Sequence, residues 1–291
     1  MKKLLLASVL CLTIILAACG SDETSGDSDE GKLAKLKEEG KVTIGFANEK
    51  PYAYEEDGEL KGAAVDIAKA VFAELGVEEM DSELLEFGQL ISGLNAGQFD
   101  VITAGMAIKP DRCENVAFGD PEMKYGEGLV VQSGNPLSLE SYEDIANNPD
   151  AVVAVMTGAT ENDFLVDAGV DPDQILSVPD IPASIAAVQS GRADATTGTE
   201  MTIKGAMASA NSDDLEFVET FEQPDVEGVP SYGAAAFNLE DEELVQAYNE
   251  VLAELKEDGT VAELLEKNGF SAQMNVVPDE ITTEKVCNGE L

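Results

Sequence analysis

FDVITAGMAIKPDR, residues 99–112, contains the transition on which both the fold and the candidate site depend. Its first part, residues 99–103, is an apolar run that predicts a buried strand. Gly105 permits close approach of the backbone to a ligand, and Pro110 suits the first turn of a helix. Arg112 then supplies a planar guanidinium group, whose geometry matches a carboxylate. The segment therefore predicts a strand that leads into an anion-binding position, with a surface ion pair of Arg112 as the alternative.

Short β-type runs and amphipathic helical runs alternate on both sides of this segment, which predicts an α/β fold with mainly parallel sheets. Strands are predicted at residues 41–47, 82–87, 99–103, 127–132, 151–156, 175–178, 193–197, 217–220 and 232–238. Helices are predicted at residues 62–75, 89–95, 160–166, 181–189, 241–256 and 261–267.

The pattern divides into two βαβ lobes, each of ordinary domain size at ~100 residues. We assign residues 41–131 and 232–291 to lobe 1 and residues 132–231 to lobe 2. The chain then crosses between the lobes twice, near the strands at 127–132 and 232–238, which form a two-strand hinge. A cleft between two hinged lobes is the expected place for a ligand.

Composition excludes several classes of function. The 291 residues include 58 Asp and Glu but only 17 Lys and Arg, a net charge of −41 that disfavours nucleic acid as a partner. The absence of His and Trp excludes His-based catalysis and His-ligated zinc. No metal or cofactor is expected. Only two arginines occur, and Arg192, at a helix-to-strand turn, is interpreted as a surface residue.

The N-terminus predicts export and anchoring. Residues 1–18 have the basic start and short apolar run of a signal peptide, and Leu16-Ala-Ala-Cys19 resembles a bacterial lipobox, which implies that Cys19 is lipidated. The alternative is an ordinary signal peptide with an incidental Cys. Residues 19–40 are then a lipidated acidic tether to the extracytoplasmic face of the cell membrane. Removal of residues 1–18 takes away two lysines and no acid, so the net charge becomes −43.

Cysteine usage agrees with export. Cys11 leaves with the signal peptide and Cys19 carries lipid, so Cys113 and Cys287 remain as a pair in an oxidising location. We predict a disulfide between them, with two free buried thiols as the alternative.

Four motifs together resemble the polar amino-acid family of periplasmic-type solute-binding proteins, which serve ABC importers. They are GAAVDIAKAVF (62–72), ITAGMAIKPDR (102–112), GRADA (191–195) and KEDGTVAEL (256–264), in family order within a match over about residues 41–275. The resemblance implies a two-lobe, type II periplasmic-binding-protein-like fold, no enzymatic activity, a monomer, and delivery of a small zwitterion to ABC permease subunits.

Within that family the chain most resembles the ectoine- and hydroxyectoine-binding members, through FANEKPYAY (46–54), KPDRC (109–113) and GRADATTGT (191–199). Carried over by position, Arg112 binds the ligand carboxylate with help from the backbone of Gly105 and Ala107 and from Thr160. Glu49 and the aromatic rings of Tyr52 and Phe87 face the ligand's delocalised cation. For the two aromatic residues, ordinary core packing is the alternative.

Two departures bear on the ligand. Thr199 stands where amino-acid binders have an Asp for the α-ammonium group, which favours a ligand without a primary amine. Ala107 stands where ectoine binders have a third aromatic residue, with Met106 and Phe164 as candidates to fill the gap.

Three alternatives to ectoine capture remain open. The protein binds a polar or a cationic amino acid instead, or it is an exported cyclohexadienyl dehydratase that uses Glu49 or Glu161 as its acid.

The acidic surface itself leads to the hypothesis that the protein is adapted to high salt. Unfolding midpoints that fail to rise between low and molar NaCl would count against this hypothesis.

Overall fold

The computed structural model describes residues 31–290; the predicted signal peptide and the predicted lipidation of Cys19 lie outside this range. In chain order the strands are β1 (Lys41–Phe46), β2 (Tyr54–Glu56), β3 (Glu59–Lys61), β4 (Glu79–Leu84), β5 (Val101–Ala107), β6 (Ala117–Phe118), β7 (Met123–Tyr125), β8 (Glu127–Gln132), β9 (Val153–Met156), β10 (Ile175–Val178), β11 (Ala195–Thr199), β12 (Leu215–Phe217) and β13 (Ser231–Phe237).

The helices are α1 (Lys32–Glu39), α2 (Ala63–Glu74), α3 (Leu90–Asn95), α4 (Pro110–Cys113), α5 (Tyr142–Ala146), α6 (Glu161–Asp167), α7 (Ile181–Gln189), α8 (Glu200–Ala210), α9 (Glu242–Glu257), α10 (Thr260–Lys267), α11 (Ala272–Asn275) and α12 (Thr283–Cys287). Within residues 31–290 no helix combines the length and the apolar character needed to cross a bilayer.

Lobe 1 is built on a sheet with the strand order β4-β1-β5-β13-β6, in which β7 also pairs with β13. β1 is parallel to β4 and β5, whereas β13 is antiparallel to its partners. The apolar faces of α2, α9 and α10 pack together beside this sheet, so that Phe72, Tyr248 and Leu265 are fully buried. Burial of such large side chains supplies most of the lobe's stability.

Lobe 2 is built on a second sheet with the strand order β10-β9-β11-β8-β12. β9 is parallel to β10 and β11, and β8 runs antiparallel between β11 and β12. α7 packs against this sheet and against α8. The chain passes from lobe 1 to lobe 2 between β7 and β8 and returns between β12 and β13, as the alternating pattern predicts.

Several details of the sequence prediction are wrong. The boundary at residue 131 falls one strand too late, because β8 pairs with β11 and β12 and so belongs to lobe 2. The tether does not extend to residue 40, because α1 is folded, buries Leu36 and packs against α9. α5, α8, α11 and α12 were not predicted as helices, and β4 and β12 begin before the strands predicted at 82–87 and 217–220.

Cys113 and Cys287 form a disulfide with a Cα–Cα distance of 5.9 Å. The bond joins the end of α4 to the end of α12 and lies one residue after Arg112. It therefore fixes the C-terminal segment to the helix that carries the predicted anion-binding residue.

Candidate functional site

A small cavity of about 30 Å³ lies between the two lobes. All eight residues predicted to bind ligand lie on its wall: Glu49, Tyr52, Phe87, Gly105, Ala107, Arg112, Thr160 and Thr199. The wall also contains five residues that were not predicted as ligand contacts: Ala104, Tyr125, Met156, Ala159 and Glu161. The ends of β1, β5, β9 and β11 and the starts of α4 and α6 therefore converge on one site.

Arg112 is buried, with 7% of its surface exposed. Its Nη1 donates to the Ala107 carbonyl at 2.8 Å, and its Nη2 donates to the Gly158 carbonyl of lobe 2 at 2.9 Å. A guanidinium has five N–H donors, and residues 31–290 occupy two of them, so three are left for a ligand. Burial lowers the pKa of Arg112, but a guanidinium stays protonated at any ordinary pH.

Gly105 and Ala107 hold the side chains of the site in place. The Gly105 carbonyl accepts a hydrogen bond from the Tyr125 hydroxyl at 2.7 Å, as the Ala107 carbonyl does from Arg112. Gly105 has a φ of +62°, and a Cβ there would lie 2.4 Å from Cδ1 of Tyr52. Glycine is thus required by the packing of Tyr52. Direct contact of this backbone with a ligand stays a prediction.

The aromatic residues have two different roles. The Phe87 ring lies under Arg112, with 5.5 Å between the guanidinium carbon and the ring centroid. It therefore makes a cation–π contact with the Arg112 guanidinium, whereas the sequence predicted such a contact with the ligand. Tyr52 makes edge-to-face contacts with Tyr125 and Phe270 at centroid distances of 5.4 and 5.2 Å. The buried Tyr52 hydroxyl has no hydrogen-bond partner in residues 31–290, although Thr199 lies beside it. Tyr52 therefore packs in the core of lobe 1 and also lines the cavity.

The gap left by Ala107 is not filled by the residues proposed from the sequence. Met106 is buried in the lobe 1 core and Phe164 in the lobe 2 core, and neither lines the cavity. Met156 and Tyr125 are on the wall instead.

Two carboxyl groups on the wall face the same cavity as Arg112. Glu49 accepts a hydrogen bond from the Thr202 hydroxyl at 2.7 Å, and Thr199 donates to Thr202 at 3.0 Å. Burial raises the pKa of Glu49 to about 7, against the lowering effect of the Thr202 hydrogen bond. Glu161, at the first position of α6, is 3% exposed. The cavity therefore combines one guanidinium group with two carboxyl groups that can hold a cation.

A third buried acid, Glu127, lies behind this wall and was missed by the sequence analysis. It is the first residue of β8, is paired in register with Thr199, and is 1% exposed. Its position at the start of an otherwise apolar strand was the available signal. In a chain with 58 acidic residues, that signal does not distinguish a buried acid from a surface one.

The two lobes are in contact around the cavity. In the described part of the chain, three polar contacts cross between them: Arg112 to the Gly158 carbonyl, Thr202 to Glu49, and an ion pair between Lys109 and Asp163. Two glycines also meet there, because a Cβ on Gly158 would lie 2.7 Å from the Cα of Gly88. The structure is thus the closed arrangement, in which the lobes enclose the site.

Two hinged lobes that close over a charged cavity define a binding protein of the type II periplasmic class. The chain belongs to the bacterial extracellular solute-binding proteins, family 3, whose family model matches residues 42–271. The predicted family and fold class are therefore confirmed. The protein is an extracytoplasmic solute-binding component of an ABC transporter.

Similar proteins agree with this assignment. A probable amino-acid ABC transporter periplasmic-binding protein of Sinorhizobium fredii is 36% identical over 262 residues, which cover 88% of this chain and 86% of that protein. The arginine-binding extracellular protein ArtP of Bacillus subtilis is 28% identical, over 94% of this chain and 100% of that protein. The crystal structure of EhuB in complex with hydroxyectoine superimposes with a TM-score of 0.80 at 39% identity, over 88% of this chain and 97% of that chain.

Proposed function

We propose that the protein captures ectoine or hydroxyectoine in the closed cavity and delivers it to ABC permease subunits. The observation that carries this proposal is the buried Arg112, which has three free N–H donors and faces a cavity also lined by Glu49 and Glu161. Ectoine has one carboxylate for the guanidinium and one delocalised amidinium cation for the carboxyl groups. Charge-assisted pairs of this kind are strong when they are buried.

Local chemistry supports the same ligand class. Thr199 offers a hydroxyl rather than a charge where a primary ammonium group would need a carboxylate. The similarity to EhuB, whose structure contains hydroxyectoine, adds independent support.

Isothermal calorimetry of the purified protein tests the proposal with ectoine, hydroxyectoine, glycine betaine and a panel of amino acids. We expect saturable binding of ectoine or hydroxyectoine. Saturable binding of α-amino acids alone would remove the proposal.

A cationic amino acid is the second candidate. Glu49 and Glu161 on the cavity wall outnumber Arg112, which favours a ligand with more positive than negative charge. One relative is an arginine-binding protein. In the same calorimetric panel, arginine binding tighter than ectoine binding would establish this alternative. Incubation with prephenate tests the dehydratase alternative, and we expect no phenylpyruvate.

Lobe closure gives a prediction at Gly88, where a Cβ would lie 3.1 Å from the Thr157 carbonyl oxygen across the cleft. Gly88→Val should obstruct closure and weaken ectoine binding about tenfold or more, since overpacking typically costs 1–3 kcal/mol. Calorimetry gives the affinity, and small-angle scattering with and without ligand reports closure.

Gly205→Ala is the matched control, because a Cβ at that position makes only an ordinary contact, 3.9 Å from the Lys50 carbonyl oxygen. Wild-type affinity and wild-type compaction in Gly88→Val would show that this glycine contact does not control closure.

We also propose that Cys19 carries the lipid anchor, on the evidence of the Leu-Ala-Ala-Cys sequence. Cys19→Ser should move the protein from the membrane fraction to the soluble fraction, and unchanged membrane association would rule the anchor out. The monomeric state stays a proposal that the same purified material tests by light scattering.

A further inference from the structure

Glu127 is a fully buried acid whose side chain has no donor. It is 1% exposed, and neither of its carboxylate oxygens receives a hydrogen bond from residues 31–290. Its backbone, in contrast, is held at both ends by Gln223, whose Oε1 accepts from the Glu127 N–H and whose Nε2 donates to the Glu127 carbonyl, both at 2.8 Å. The side chain is therefore placed firmly in a position where an ionised carboxylate would have no partner.

The groups around Glu127 explain what it can do there. Glu127 pairs in register with Thr199, and the Glu161 Oε1 lies 3.9 Å from where a Cβ on the preceding residue, Gly198, would stand. Glu49 is linked to Thr199 through the Thr202 hydroxyl. The other titratable groups nearby are the buried phenols of Tyr52, Tyr125 and Tyr142. Arg112 acts on Glu49, Tyr125 and Glu161 rather than on Glu127. Burial and the Glu161 carboxylate together raise the pKa of Glu127 well above its ordinary value.

Two neighbouring buried carboxyl groups do not both ionise readily, and the proton stays on the one that no cation faces. Arg112 faces Glu161 and not Glu127, so Glu127 is the group that keeps the proton. Glu161 lines the cavity, whereas Glu127 lies behind it. We propose that Glu127 is a positioning residue for ligand recognition: as a neutral carboxylic acid it donates a hydrogen bond to Glu161 and holds that group, ionised, toward the ligand's cation. The inference rests on the proposed function only in requiring a ligand that carries a cation.

The test is the pH dependence of ectoine binding, measured by calorimetry in the wild type, Glu127→Leu and Glu127→Gln. Loss of the donor in Glu127→Leu should raise Kd about tenfold, the usual effect of one hydrogen bond to a charged group. It should also move the loss of binding on acidification to higher pH, because the ligand's cation loses the support that the Glu127 donor gives to its carboxylate partner. Glu127→Gln keeps an N–H donor. It should therefore restore most of the affinity, and ectoine binding should be lost on acidification at the same pH as in the wild type.

Glu122→Gln is the matched control. Glu122 is a buried acid in lobe 1 that accepts a hydrogen bond from Tyr248 at 2.6 Å and does not line the cavity. We expect this variant to have the wild-type Kd and pH profile. The proposal would be overturned if Kd for ectoine depended on pH in Glu127→Leu as it does in the wild type, or if this variant lost the same affinity at every pH.

A second measurement keeps the proposal testable if Glu127→Leu does not fold. Infrared difference spectra of the wild type minus Glu127→Gln at neutral pH should contain the carbonyl stretch of one protonated carboxylic acid. Absence of that band would contradict a neutral Glu127. If the wild type binds arginine but not ectoine, the proposed function fails, and the same variants are measured with arginine.

Discussion

Arg112→Lys is expected to weaken ectoine binding roughly 30- to 150-fold, or about 2–3 kcal/mol, the scale of a bidentate hydrogen bond between charged groups. Lysine keeps the charge but has no planar fork. It also cannot donate to the Ala107 carbonyl, the Gly158 carbonyl and a ligand carboxylate with the geometry that Arg112 has. Part of the loss therefore comes from closure, because the Gly158 carbonyl belongs to lobe 2.

Arg192→Lys is the natural control, since Arg192 is the only other arginine of the chain and lies exposed in the turn before β11. Calorimetry with ectoine on both variants compares the same substitution inside and outside the cavity. Equal affinities for Arg112→Lys and the wild type would place the ligand carboxylate elsewhere.

Removal of the disulfide should produce the largest change in stability. The double variant Cys113→Ser, Cys287→Ser opens a loop whose ends are 174 residues apart. In the chain-entropy account, such a loop contributes roughly 4–5 kcal/mol by restricting the unfolded chain. Urea unfolding monitored by circular dichroism should give a free energy of unfolding lower by that amount.

The same bond joins α12 to the helix of Arg112, so its removal should also weaken ectoine binding. Mass spectrometry of the exported wild-type protein provides the control. Alkylation of both Cys113 and Cys287 without prior reduction would show that the bond does not form, and an unchanged free energy of unfolding in the double variant would show that it does not stabilise the fold.

The two-lobe architecture was predictable because it depends on local pattern. Runs such as residues 101–107 and 153–156 are wholly buried strands, and apolar runs bounded by turn residues signal such strands. The misplaced elements depend instead on distant contacts. α1 has only Leu33 and Leu36 as apolar anchors and is held by its packing against α9. β8 reads equally well as a strand of either lobe, and only its pairing with β11 and β12 assigns it.

Site residues were predictable when their type is rare in this chain or when they stand at a fixed position of a family motif. Arg112 stands out in a chain with two arginines, and the family motifs place the seven other predicted residues on the same cavity. The roles were harder to predict than the positions. Phe87 supports Arg112, and Gly105 makes room for Tyr52, because side-chain packing decides what each residue contacts. Glu127 was missed because burial, not residue type, makes this acid unusual.

A crystal structure of the protein grown with ectoine would show whether the cavity holds this solute. We expect ectoine in the closed cavity, with its carboxylate on the free N–H groups of Arg112 and its amidinium facing Glu161 and Glu49. An empty cavity at saturating ectoine, or a ligand whose cation points toward Arg112, would rule out ectoine capture by this site.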